Sequence, residues 1–496
     1  MNVRTNKRTN CLHAAFFLFL TIALTAASVA QDKPATNSDQ TKGPAPSGQA
    51  GNTAAKPDEQ EAAPLSFHLG TAYITPLGFM DFTTVYRSTA PGSGIGTNFG
   101  SIPYSNTVQG NLGELRMSPQ NSRIGARVDA SVMGAHVIGY WESDFLGAVP
   151  ANAPVSSNSY SFRLRLYWVD LKKDKWEILG GQSWSMLTPG RKGISPLPGD
   201  LFFSQDIDVN YQVGLTWSRD PQFRFVYHPS DAVSMGISLE NPEQYIGGSA
   251  GGALITLPST IATPYASQLD NGNTTLTAPG VHPDVIAKIA FDPKVGSRAL
   301  HFELGGLVRT FKVWNPLNSQ HYTSNGEGGQ ANLNFELFKN FRVLTNNYWS
   351  VGGGRYIFGQ APDLIARSDG SLSPVHSGST VTGFELTHKN TLLYSYYSGV
   401  YIGRNVTTDS LTGKFVGYGY PGSPGSQNRS IQEATFGFAQ TFWKDAKYGA
   451  LVLMGQYSYL TRNPWVVASG QPKDAKTNMV FINLRYALPG SAPAMK

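Results

Sequence analysis

From Leu65 to Leu488 the chain repeats one pattern, in which stretches of about ten residues alternate apolar and polar side chains and are separated by loops rich in Gly, Pro, Asn and Ser. A period of two sends successive side chains to opposite faces of a strand. Between Ser122 and Val132, Ile124, Ala126, Val128 and Ala130 share one face, while Arg123, Arg127 and Asp129 share the other. Phe162, Leu164, Leu166 and Trp168 oppose Arg163, Arg165 and Tyr167, and Leu300, Phe302, Leu304 and Val308 oppose His301, Glu303 and Arg309. Val285, Ala287, Ile289 and Phe291 divide from Lys288 in the same way, as do Phe223, Phe225 and Tyr227 from Arg224. The last stretch sets Val480, Ile482, Leu484, Tyr486 and Leu488 against Asn483 and Arg485. One face is oily and the other charged.

Two all-β architectures fit such faces. A soluble sandwich packs the apolar faces together, whereas a membrane barrel turns them outward to lipid and keeps the charges in a hydrated interior. Only 15 % of the residues are charged, below the usual share for a soluble chain, and 53 Gly and 31 Pro imply frequent turns. The mean hydropathy is too low for a bundle of membrane helices.

The start of the chain favours the membrane. Arg4, Lys7 and Arg8 precede an apolar run from Leu12 to Ala27, and small residues stand one and three positions before Gln31. Residues 1–30 are therefore expected to be a cleaved secretory signal peptide. Its removal takes the formal charge from +6 to +3 and removes the one cysteine, Cys11, so neither disulfides nor thiolate metal sites are expected in the exported protein. Residues 31–64, rich in Ala, Pro, Gly and Ser, read as a disordered periplasmic leader, and residues 65–496 as the barrel domain. Unpaired backbone groups are prohibitive in hydrocarbon, so a sheet crosses a bilayer only when closed on itself. About sixteen candidate strands, with short connections such as Met133 to Ala135 and long ones at Ala90 to Pro119, Thr188 to Asn210, Asn241 to His282 and Thr407 to Ser430, predict an antiparallel up-and-down transmembrane β-barrel. Trp141, Trp314, Trp349, Trp443 and Trp465 stand near strand ends, where an aromatic girdle would lie at headgroup level.

Several local runs resemble a known family. Pro119 to Gly125 leading into Gly139 to Phe145, Gly181 to Ser185, Asp220 to Arg224, and Gly352 to Ile357 are similar to segments of the DcaP-like trimeric outer-membrane porins. The resemblance implies a sixteen-stranded homotrimer in the outer membrane that passes small organic anions such as dicarboxylates. The chain departs from that pattern in its Pro- and Gly-rich leader, where family members can carry a coiled-coil segment. It also ends with Pro489 to Lys496 rather than an aromatic residue.

The inward-facing charges are the candidate site. Arg123, Arg127, Arg163, Arg165, Arg224, Lys288, Arg309 and Arg355 are basic, and Glu142, Asp144, Glu240 and Glu303 are acidic. Charged rings in a water-filled passage bias permeation by sign, and the basic excess favours anions. The same charges could instead pair across neighbouring strands. The segment Thr188 to Asn210 would constrict the lumen if folded inward, or contact a neighbouring subunit if folded outward. Gly352 to Gly354 lack the Lys and the helix of a phosphate loop and read as a bend or a contact between subunits. No nucleophile elbow, metal spacing or cofactor motif is present, so neither an enzyme nor a cofactor is expected, and nucleic acid is not an expected partner. The expected activity is passive diffusion of small hydrophilic solutes. The alternatives are a carbohydrate-selective porin, with lumen aromatics stacking on sugars, and an exported β-rich adhesin.

Overall fold

A computed structural model describes residues 65–148, 160–272, 280 and 282–489; the expected signal peptide and leader lie outside them. Among the described residues sixteen long antiparallel strands form the wall. The first eight are β1 (Ala72–Arg87), β2 (Arg123–Val132), β3 (Ala135–Asp144), β4 (Arg163–Lys173), β5 (Trp176–Trp184), β6 (Arg219–Ser230), β7 (Val233–Glu240) and β8 (Asp284–Phe291). The remainder are β9 (Arg298–Asn315), β10 (Gln320–Phe338), β11 (Phe341–Val351), β12 (His376–His388), β13 (Thr391–Ile402), β14 (Asn428–Asp445), β15 (Gly449–Pro464) and β16 (Ala475–Ala487). Each pairs with its sequence neighbours, and β16 returns to β1 from Phe79 opposite Ala487 to Arg87 opposite Met479. The sheet is a closed barrel without a free edge.

Connections alternate in length. Residues 133–134, 174–175, 231–232, 339–340 and 389–390 are two-residue turns at one end, and Met133 and Gly134 both take the positive φ that a tight hairpin of this hand requires. The other end carries the long connections 88–122, 185–218, 241–283, 352–375 and 403–427.

The faces are those of a membrane barrel. Phe82, Ile124, Leu164, Phe223, Ile289, Leu304, Phe436, Ile482 and Leu484 are exposed on the outside, while Arg127, Arg165, Arg224, Lys288, Glu303 and Arg309 are buried within. A soluble sandwich would have inverted this division.

One strand departs from the simple alternation. Glu142 stands opposite Leu166 and Ser143 opposite Leu164, so Arg165 is the extra residue of a β-bulge in β4. Beyond the bulge the parity flips. Leu166 and Trp168, expected outside, face in, where Trp168 stacks on Tyr140 at 5.2 Å, and Tyr167, expected inside, is 63 % exposed. Of the predicted girdle, Trp314, Trp349 and Trp443 are exposed, while Trp141 and Trp465 are half-buried; Trp176, overlooked in the sequence, is also exposed.

Candidate solute pathway

The interior is narrowed by the chain itself. Leaving β5 at Trp184, residues 185–218 run inward, cross the barrel and return to β6. The backbone N–H of Gly190 donates to Glu303 on β9 at 3.0 Å, and Arg191 makes a two-pronged bond to Glu385 on β12 at 2.9 and 2.7 Å. A Cβ on residue 190 would lie 2.7 Å from Glu303 Oε1, so any larger residue would push that carboxylate aside. Further along, the N–H of Gln205 donates to Tyr396 Oη on β13 at 3.0 Å, that of Val213 to Glu433 on β14 at 3.0 Å, and that of Ile207 to Gln456 on β15 at 2.5 Å. These anchors are side chains on β9 and on β12 to β15, away from the loop's root between β5 and β6. Residues 188–210 therefore lie inside the barrel rather than against a neighbouring subunit.

What remains between this loop and the near wall is lined by Asn121, Arg123, Glu142 and Arg485 on one side and Phe203, Asp206, Asp208 and Tyr211 on the other. Beside it, four guanidiniums gather around Glu142 and Asp144. Arg165 holds Glu142 at 2.7 Å and Asp144 at 2.6 Å, Arg163 holds Asp144 at 2.8 Å, and Arg123 reaches Glu142 at 3.4 Å. The fourth, Arg219, lies 5.4 Å from the centre of the Trp184 ring. It heads β6 immediately after the loop, where alternation assigns no face, and was missed for that reason. This group sets four guanidiniums around two carboxylates, with Asp206 and Asp208 lining the passage on the loop side. Burial raises the pKa of the Tyr211 hydroxyl, but Arg123 and Arg165 outweigh it and hold that hydroxyl below the usual tyrosine range.

Aromatic rings also enter the lumen, and they use their faces on one another. Trp217 stacks on Phe358 at 4.5 Å, Trp184 meets Phe203 at 4.6 Å, and Phe203 stacks on Tyr211 at 4.7 Å.

No protein-family model matches the sequence, and no curated protein matches it. Among solved structures the chain is similar to the outer membrane channel DcaP of Acinetobacter baumannii, with a TM-score of 0.60, 17 % identity, and coverage of 84 % of this chain and 97 % of that one. The fold is that of the DcaP-like outer-membrane channels. Weaker likenesses include an anion-selective porin from Comamonas acidovorans (TM-score 0.46, 12 % identity, 84 % and 100 % covered) and OprB of Pseudomonas putida (0.45, 10 %, 83 % and 94 %).

In this DcaP-like barrel the other candidate charges act as struts. Lys288 bonds Glu303 at 3.0 Å and the Thr188 carbonyl at 2.8 Å, tying the crossing loop to β8 and β9. Arg127 pairs with Asp129 at 2.7 Å, and Arg224 donates to the Trp184 carbonyl at 2.6 Å. Glu240 accepts from the Met186 N–H at 2.8 Å. Arg355 was expected on the strand wall; it lies instead on a single turn, Gly354–Tyr356, of the 352–375 connection, which folds into the lumen. There it pairs with Asp220 and Asp284, each at 3.2 Å. Arg309 beside it pairs with Asp363 at 2.8 Å and Asp284 at 3.3 Å, all three fully buried. Gly352 to Gly354 are thus a buried bend within one chain, Gly352 at φ +83° with its carbonyl accepting from Arg309, and not a contact between subunits. Among the described residues no cluster of three or more His, Asp and Glu is arranged to hold a metal ion.

Acid should tighten the constriction. Burial, reinforced by the Glu433 and Asp208 carboxylates, pushes the Asp206 carboxyl well above its usual range. A carboxyl whose folded pKa is raised favours the folded arrangement while protonated, and that contribution is lost as pH rises through the folded value. Lowering the pH from about 7 to about 4 is expected to reduce single-channel conductance, as measured in planar bilayers; a rise would contradict the assignment.

Proposed function

We propose that this chain is an outer-membrane porin that passes small hydrophilic solutes by passive diffusion and favours organic anions such as dicarboxylates, working as a homotrimer. The observation that carries the reading is the grouping of Arg123, Arg163, Arg165 and Arg219 around the two carboxylates Glu142 and Asp144 beside the crossing loop. Walls of low dielectric focus that positive field on the passage, and a planar guanidinium matches a carboxylate with two parallel hydrogen bonds. Passage needs no energy input beyond the solute gradient. The sugar-selective alternative is less well supported, because the lumen aromatics that would stack on a sugar already cover one another.

The test is the reversal potential of the purified protein in a planar bilayer under a salt gradient. The wild type is expected to prefer anions, and Arg163→Gln with Arg219→Gln to bring the reversal potential close to zero by removing two positive charges while leaving Arg165 to hold Glu142 and Asp144. Cation preference in the wild type would overturn the anion reading while keeping a channel. Absence of conductance from inserted protein would overturn the porin.

A further inference from the structure

The crossing loop holds Tyr211 in a conformation that its residue type rarely adopts. Its φ is +63°, in the left-handed region that a bulky L side chain avoids. Asp174, Asn340 and Lys389 share such an angle because their two-residue hairpin turns require it, whereas Tyr211 lies in the lumen, where no hairpin does. Bonds on both sides impose the conformation. Before it, the Tyr211 N–H donates to the Asp208 carbonyl at 2.9 Å, and Asn210 Nδ2 donates to the Thr97 carbonyl at 2.9 Å. After it, Gln212 Nε2 donates to Ser398 Oγ on β13 at 2.9 Å, and the Val213 N–H to Glu433 on β14 at 3.0 Å. Strain that persists only because its surroundings over-determine it points to a residue whose direction matters.

That direction is toward the guanidiniums. Trp184 is the centre of this corner: Arg165 lies 5.6 Å and Arg219 5.4 Å from the middle of its ring, and the Tyr211 ring meets it edge-on at 6.5 Å. Phe203 stacks on Tyr211 at 4.7 Å, and Trp217 meets it at 5.4 Å and 87°. The ring of Tyr211 is thus packed among rings, while its polar end has Arg123, Arg165 and Arg219 as cationic neighbours and Glu142 as an anionic one. Tyr211, Arg123 and Glu142 line the same passage. Two of these guanidiniums keep donors to spare. Arg123 reaches Glu142 only at 3.4 Å, and among the described residues neither its Nε nor Arg219 Nη1, both buried, has a hydrogen-bond partner. A phenol oxygen accepts from such donors as a carboxylate does, but as a neutral group it is held less strongly.

We propose that Tyr211 is the chain's own competitor for the permeating anion: its hydroxyl stands beside Arg123 and Arg219 where a solute carboxylate would bind, and each solute displaces it in passing. The proposal rests on the anion reading above and adds the residue that sets how tightly the anion is held. Conduction needs binding strong enough to admit a solute and weak enough to release it. Guanidiniums left open beside the passage would hold a dicarboxylate through paired, charge-assisted hydrogen bonds. A hydroxyl tethered in place by the loop's anchors takes those donors back as the carboxylate leaves, which lowers the affinity and speeds release.

The test compares the wild type with Tyr211→Phe, which keeps the ring and its packing and removes the hydroxyl, in planar bilayers with succinate as the probe. Tyr211→Phe is expected to bind succinate several-fold more tightly, read as a lower concentration for half-block of the chloride current and longer blocked intervals. Raising the pH from about 7 to about 10 is expected to move the wild-type reversal potential toward zero as the hydroxyl ionises beside Arg123, and to move that of Tyr211→Phe less. Glu142, Asp144, Asp206, Asp208 and the four guanidiniums are common to both proteins, so the difference belongs to Tyr211. Equal half-block concentrations, or equal pH responses, in an anion-preferring pair would overturn the proposal and leave the anion reading standing. Weaker block in Tyr211→Phe would overturn it as well, by showing that the hydroxyl donates to the solute. A wild type without anion preference would overturn both.

Discussion

Replacing residues 192–209 with a short Gly-Ser linker is expected to raise single-channel conductance several-fold and to erase most of the acid response. The loop crosses the lumen, and without it the side chains that hold it (Glu303, Glu385, Tyr396, Glu433 and Gln456) would line water. Conductance through a hydrated pore is set by its narrowest section, so removing the obstruction acts on the controlling resistance. The excision also removes Asp206 and Asp208, which face Glu433. Arg191→Gln is a milder variant that leaves the loop in place but removes its bond to Glu385; it should increase current noise without changing the mean conductance as much. Unaltered conductance in a correctly inserted excision variant would show that the loop does not control flow.

The second large effect concerns stability. Arg309 is fully buried between Asp284 on β8 and Asp363 on the inward-folded connection, and it also donates to the Gly352 and Glu243 carbonyls. Arg309→Met leaves Asp363 without its cation and Asp284 with Arg355 alone. Removing one partner of a buried ionic set costs about 3–5 kcal/mol, far more than the net worth of the intact set, because the remaining charges stay desolvated. Unfolding in detergent, followed by the heat-dependent shift in gel mobility, is expected to show that loss. Adding Asp363→Asn to Arg309→Met should recover part of it. A neutral Arg309→Met would mean that water reaches the cluster and solvates the carboxylates.

Much of this was legible in the residues. The alternation from Ile124 to Ala130 and from Leu300 to Val308 placed those side chains correctly, because hydrocarbon outside and water inside impose opposite chemistry on adjacent positions of a strand. It failed at Arg165, where one extra residue reverses the faces of everything beyond it in β4, and no change in composition marks the bulge. It was silent on Arg219 and misjudged Arg355, since both sit where a strand gives way to a loop and parity carries no meaning. The pairing of Arg165 with both Glu142 and Asp144 joins positions more than twenty residues apart in the chain, and only the register of β3 against β4 brings them together.

By itself the sequence determined the closed barrel, its number of strands, the sense of its two faces and the positions of four of its five long connections, because each follows from local periodicity and from the cost of unpaired backbone in lipid. Only the tertiary structure decided what occupies the lumen. The inward course of residues 188–210 and 352–375 depends on single hydrogen bonds to side chains far away along the chain, such as those from Gly190 to Glu303 and from Arg309 to Asp363, and no pattern within either loop encodes them.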